Sequence, residues 1–197
     1  MLEFSVLAQQ CAPAVHPTTM AAVVKVESTY NPFAIGVVGA RLARQPRNQA
    51  EAIATAQALA AAGYNFSLGM GQVNRHNLAK HGLDYARAFE PCANLKAASR
   101  ILQDCFRRAK ASGLPDQAAL QAALSCYYSG NFSTGLRSPA SGQPSYVERV
   151  LQSAPVRTGT QAPLAVRLPP PAPSNAVVSA AHTAVTAGDT NPVLVYR

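Results

Sequence analysis

The sequence predicts a mainly α fold of the α+β kind: a helical domain with a short β-hairpin or irregular loop after its first helix, then a flexible Pro/Ala-rich tail. Three observations predict it. Between 94 and 110, Leu95, Ala98, Ile101, Leu102, Cys105, Phe106 and Ala109 recur at helical spacing, with Arg100, Arg107 and Lys110 mostly facing away. From Phe33 to Arg47 that period is lost, and Ile35-Gly36-Val37-Val38-Gly39 mixes glycine with β-branched residues. From about Ser153, prolines lie among Ala, Thr, Ser and Val with few large apolar side chains, too few to offset the entropy of ordering. The division is therefore a folded domain over 10–152 and a tail over 153–197.

Each element has a local reason. Residues 18–29 read as the first helix, with Thr18 or Thr19 as its cap and Asn31-Pro32 as its stop, because a residue before proline is pushed out of the helical region. A second helix starts at Asn48 with Glu51 three positions on, a capping-box-like pair, and stops at Gly63. Its interior is nearly all alanine, which favours helix and buries little area. Tyr64 to Asn74 reads as a glycine-containing loop, leading into a short helix that ends by Gly82. The central helix 94–110 is broken by Gly113 and Pro115. Helix 116–128 turns Leu120, Ala123, Leu124 and Tyr127 inward and stops at Gly130; a last short helix holds Tyr146, Val147, Val150 and Leu151.

Composition narrows the function. No apolar run approaches the roughly 20 residues that span a bilayer, so no membrane span is expected. The charge of +8, from 17 basic and 9 acidic side chains, favours an anionic partner. The arginines are scattered, with no zinc-finger spacing and no aromatic–basic RNA-binding signature, so nucleic acid is not the expected one. His16, His76, His81 and His182 are isolated, so neither metal nor cofactor is expected. Cys11, Cys92, Cys105 and Cys126, an even number without a CxxC pair, argue for disulfides in an oxidising compartment. Cys92 and Cys105 lie 13 positions apart on the central helix, close to 20 Å of rise, beyond disulfide reach; Cys105–Cys126 would clip two neighbouring helices. The run Leu2 to Ala8, interrupted by Glu3 and Ser5, does not read as a complete export signal.

One acidic residue is out of place. Met20, Val23 and Val24 form the buried stripe of the first helix, and the next member of that series is Glu27. A carboxylate there is desolvated and faces the negative end of the helix dipole, and both effects raise its pKa. The other acidic residues lie in exposed, capping, interhelical or tail contexts. A single perturbed carboxyl can protonate a leaving oxygen and then take a proton from a hydroxyl of the substrate itself.

Around Glu27-Ser28 stand Asn31-Pro32, then Gly69-Met70-Gly71-Gln72, then Ala122-Ala123-Leu124-Ser125-Cys126-Tyr127-Tyr128-Ser129-Gly130. This three-part pattern resembles the soluble lytic transglycosylase domain, which is lysozyme-like, and the run from Cys126 to Phe132 is similar to the VirB-type members of type IV secretion and conjugation machines. The resemblance implies that Glu27 is the catalytic acid and base and that Ser28 helps to hold its carboxyl. It further implies that Gln72 lines the sugar groove, that the turn of Gly69 and Met70 brings backbone close to the glycan, and that the Tyr127 phenol reaches Glu27. Gly71 stands where many relatives have methionine and Tyr128 where they have asparagine. The activity so implied is cleavage of the MurNAc–GlcNAc bond of peptidoglycan with a 1,6-anhydro product, in the periplasm, opening the wall for a secretion apparatus that the tail could dock. Two rivals remain: a goose-type lysozyme-like hydrolase, for which Asp84 would position water, and a non-catalytic wall-binding assembly protein.

Overall fold

The computed structural model describes residues 2–154, so all but the start of the expected tail lies outside the described residues. The elements are α1 (Leu2–Cys11), α2 (Pro17–Ser28), β1 (Ile35–Val37), α3 (Gln49–Ala61), β2 (Phe66–Leu68), β3 (Val73–Asn74), α4 (Tyr85–Ala88), α5 (Pro91–Ala111), α6 (Asp116–Ser129) and α7 (Tyr146–Ser153). The mainly helical expectation with a small β component holds. Among the described residues no helix is long and apolar enough to cross a membrane.

α1 was not expected. Its stripe is weak in sequence, yet Ala8, Cys11 and Ala12 are buried against α2 and α5. The folded unit therefore begins before residue 10. A disulfide from Cys11 to Cys92, Cα–Cα 5.1 Å, ties α1 to the first turn of α5. The second disulfide is Cys105–Cys126, Cα–Cα 5.8 Å, and it clips α5 to α6, a pairing the spacing had left open.

α2 begins one residue before the expected start. Pro17 occupies the first turn, where its missing N–H is harmless, and His16 rather than either threonine caps the helix, its Nδ1 accepting from the Thr18 N–H at 3.2 Å. Thr19 is buried. The helix ends at Ser28 because Thr29 (φ 53°) and Tyr30 (φ 64°) are left-handed. That conformation is rare for non-glycine residues and rarer still for a β-branched threonine.

The sheet corrects the reading of two loops. β1 pairs antiparallel with β2, Ile35 opposite Leu68 and Val37 opposite Phe66, although α3 intervenes in sequence. The local hairpin is instead β2–β3, with Leu68 opposite Val73, in the stretch read as a plain loop. Strands of three and two residues are too short to show alternation, and Phe66, Leu68 and Val73 are held by burial rather than by pattern. The expected short helix before Gly82 is two 3₁₀ turns, Arg75–Asn77 and Ala79–His81.

α3 follows its sequence closely: the Asn48 side chain accepts from the Glu51 N–H, and only Ala52 and Ala56 are buried. α5 buries Leu95, Ala98, Leu102, Cys105 and Ala109 and packs chiefly on α6. α7 opens with a capping box between Ser145 and Glu148 and buries Tyr146, Val147 and Val150, packing against α2 and α6. That docking carries Tyr146 to the end of α2.

Candidate active site

A cleft of about 1040 Å³ runs between the sheet and the α5–α6 pair. Ile101, Asp104, Cys105, Arg108 and Ala111 of α5 line one wall. Ten residues of helical rise make that wall about 15 Å long. Gly36 and Val37 face it from β1 and Val38 from just beyond it, Gln72 and Asn74 from the β2–β3 hairpin, and Tyr127 to Gly130 from the end of α6. Glu27 lies in the same cleft.

The Glu27 carboxyl is pushed up from 4.5 to about 7, chiefly by desolvation. A hydrogen bond from Tyr146 and the charge of Arg149 pull the other way without prevailing. The group is therefore about half protonated at pH 7, far more than an ordinary glutamate, although it lines the cleft and is only half-buried. Tyr146 Oη donates to Glu27 Oε1 at 2.5 Å, which leaves Oε2 free of that bond. The phenol itself is pushed well above its ordinary value by burial and by Glu27, so it remains a donor across the range in which Glu27 titrates.

This corrects the role expected of Tyr127. Its hydroxyl donates to the Gly71 carbonyl, fastening α6 to the hairpin turn, and it senses Glu27 through charge rather than through a direct bond. Ser28 likewise serves the turn: its hydroxyl donates to the Met70 carbonyl at 2.8 Å instead of holding the carboxyl. Gln72, left-handed at φ 49°, sends its amide N–H to the carbonyls of Gly69 (2.8 Å) and Ala34 (3.1 Å). A Cβ on Gly36 would fall 2.6 Å from Gln72 Oε1, so the glutamine lies across β1 only because that residue is glycine.

Gly69 and Met70 do not meet the cleft. Met70 is core, and Gly69, at φ 74°, lets the turn press onto its support: an added Cβ would stand 2.3 Å from Asn94 Nδ2 and 2.4 Å from the Ala88 carbonyl. The glycine at 71 is explained the same way, since a Cβ there would lie 2.6 Å from that of Ala98 on α5. Its departure from methionine therefore does not strip a wall from the cleft; it lets the turn sit against α5.

Two residues at the centre of this arrangement escaped the sequence reading, Tyr146 and Asn94. Asn94 is fully buried. Its Nδ2 donates to Leu68 O (2.9 Å) and Ala88 O (2.7 Å), and its Oδ1 accepts from Gly71 N–H (2.7 Å). A helix-period pattern treats it as one more polar residue in a first turn. All three non-glycine residues with positive φ among those described, Thr29, Tyr30 and Gln72, flank Glu27 or the turn, so backbone strain gathers where the geometry is specialised.

Among the described residues no second acid stands ready beside Glu27. Asp84 caps α4 by accepting from the Arg87 N–H and does not line the cleft. Asp104 lines it but is paired with Arg107 and, at 3.9 Å, with Lys80. Among the described residues no group of His, Cys, Asp and Glu is arranged to hold a metal ion.

The balance at Glu27 is testable by itself. Tyr146→Phe removes the hydrogen bond that lowers the carboxyl, so its pKa is expected to move further up from about 7, read by NMR titration of the labelled glutamate side chain. An unchanged or lower value would contradict the assigned balance.

The comparisons with known proteins follow the same residues. The family model described as "Transglycosylase SLT domain" matches residues 4–135. The chain is 61% identical over 160 residues to the type IV secretion system protein virB1 of Brucella suis biovar 1, covering 80% of this chain and 66% of that protein. Against protein virB1 of Agrobacterium fabrum it is 32% identical over 152 residues, covering 76% of this chain and 60% of that one. It therefore spans just under two thirds of the length of these relatives. No solved structure matches. The family match takes in Glu27, the Gly69–Gln72 turn and Tyr127 over well more than half of the sequence, and on that ground the chain belongs to the transglycosylase SLT domain family.

Proposed function

We propose that the chain is a peptidoglycan lytic transglycosylase that breaks the MurNAc–GlcNAc β-1,4 bond and leaves a 1,6-anhydro end. The observation that carries this is Glu27, held partly protonated near neutrality in the cleft, with no second carboxylate available there among the described residues. Glu27 gives its proton to the bridging oxygen as the bond to the sugar's C1 breaks. The carboxylate then accepts the proton of that sugar's own 6-hydroxyl as O6 bonds to C1, which closes the anhydro ring and restores the acid. Tyr146 and Arg149 stabilise the transient carboxylate; the apolar surroundings that disfavour it return the proton.

The hydrolytic rival needs a base to activate water, and neither Asp84 nor Asp104 is placed to serve. The assembly-protein rival leaves the perturbed acid without a purpose. The names of the relatives support a role in type IV secretion, in which local opening of the wall lets an envelope-spanning apparatus assemble. Action in the periplasm follows from that reading and agrees with two disulfides. Docking of secretion components by the tail stays part of the proposal.

The deciding measurement is mass spectrometry of muropeptides released from purified sacculi. Anhydro ends are expected to accumulate as the chains shorten. Predominantly reducing ends would replace the transglycosylase with a hydrolase, and no release at all would leave only wall binding.

A further inference from the structure

Two exposed apolar side chains lie where a soluble surface has little reason to keep them. Val38 is 63% exposed and Tyr128 54%, the most exposed of the large hydrophobic residues among those described, and both line the cleft. They enter it from different elements, Val38 just beyond β1 and Tyr128 near the end of α6. The same lining includes the uncharged polar side chains Asn65, Ser67, Gln72 and Ser129, beside the charged Lys80, Asp104, Arg107 and Arg108. Amide and hydroxyl groups interleaved with flat or branched apolar surface suit a ligand that is itself hydroxyl-rimmed with apolar faces. A pyranose of the gluco configuration, whose ring C–H bonds point above and below the ring, is such a ligand.

Tyr128 is held for that purpose on one side only. Its ring stacks on Tyr146 with centroids 4.5 Å apart and planes 16° from parallel. Arg149 also sits 5.8 Å from the Tyr146 ring centre. A ring braced by this stack loses little rotational freedom when a ligand covers its outer face, so the cost of ordering it is already met by the fold. Tyr146 in turn donates to Glu27, so a sugar seated on Tyr128 would lie one aromatic ring away from the residue that orients the acid.

We infer that Tyr128 is a sugar-stacking platform, its free face taking the C–H face of a pyranose ring of the glycan while its covered face rests on Tyr146. This rests on the glycan-cleaving reading above and adds to it a residue that seats the chain. Tyr128 is then a substrate-binding residue whose contribution comes from the flat ring and not from the hydroxyl. An asparagine at this position would offer a hydrogen bond and no platform.

The test uses chitohexaose, a β-1,4-linked N-acetylglucosamine oligomer, titrated by NMR into the full chain carrying Glu27→Gln so that no bond is cut. Tyr128→Phe is expected to keep the affinity within about twofold. Tyr128→Ala and Tyr128→Leu are expected to weaken it by about tenfold, the leucine keeping apolar bulk without a flat face. In the otherwise wild-type chain the same two substitutions should raise KM on solubilised glycan and leave the pH at which kcat falls unchanged. Equal binding by the alanine and parent chains would overturn the platform, as would a phenylalanine variant that loses as much as alanine. If the Glu27→Gln parent binds no hexasaccharide, the glycan reading of the cleft fails and the platform with it; if the parent binds and Tyr128 is indifferent, only the platform fails.

Discussion

Glu27→Gln is expected to lose wall-clearing activity by at least about a thousandfold and, above neutral pH, to be more stable than the natural chain. The loss follows from the removal of the one carboxyl in the cleft, among the described residues, that burial keeps protonated toward neutral pH, general acid–base catalysis being worth about 10²–10⁴-fold before any effect on the second step. The gain follows from linkage. Unfolded, the glutamate titrates near 4.5; folded, near 7. Between these values the folded state keeps a proton that the unfolded state has released, so stability falls as pH rises through the window and stays lower beyond it. The shift corresponds to on the order of 3 kcal/mol as an upper bound. Glutamine carries no such penalty and still offers Tyr146 an oxygen. Thermal unfolding at pH 5 and pH 8.5 reads the difference: the variant should unfold a few degrees higher at most in acid and roughly 6–12 °C higher in base. A gap independent of pH would mean that Glu27 is ionised in the fold, and the acid role would go with it.

The second large effect is expected at Asn94, a residue that touches no substrate. Asn94→Leu keeps the branch at Cγ but adds bulk at a fully buried site, and it removes three hydrogen bonds, leaving Gly71 N–H and the carbonyls of Leu68 and Ala88 without their partner inside the protein. Each unsatisfied buried group costs about 1–3 kcal/mol, so a loss of roughly 3–5 kcal/mol is expected after partial relaxation. The turn that carries Gln72 and receives Tyr127 would loosen, and clearing of sacculi should fall more than tenfold with Glu27 untouched. Asn94→Asp separates hydrogen bonding from shape, because its second oxygen would face two carbonyls and be tolerated only when protonated. That variant should therefore approach the parent in acid and lose stability as pH rises. A leucine variant that unfolds within two degrees or so of the parent would show that the turn is held by something else.

Glu27 was legible in the sequence because two local rules conflict there: the helical period places it on the buried stripe, while burial and the helix dipole oppose a carboxylate. Gln72 and Tyr127 were singled out only through the resemblance, since a polar loop residue and an inward tyrosine are ordinary by themselves; the structure shows both bonded to backbone carbonyls around the turn. Tyr146 was read as a core aromatic of a short helix, and nothing local distinguishes it. It sits 119 residues from Glu27 and meets it only because α7 docks against α2. It also falls outside the region matched by the family model. Asn94 shows the same limit from another side: its partners lie 6, 23 and 26 residues away, beyond any periodic pattern.

By itself the sequence determined the helices that carry strong local signals: α3 between its asparagine cap and Gly63, α5 with its long apolar stripe, α6 up to Gly130, and the acid at the end of α2. Those features depend on groups within one or two turns of each other, where spacing and capping act directly. Tertiary structure decided which strands pair across α3, that α1 belongs to the core, which phenol holds the acid, and that a buried asparagine holds the turn. Such choices are made by packing between elements distant in the chain, and side chains that look alike one at a time acquire different chemistry only when that packing chooses their neighbours.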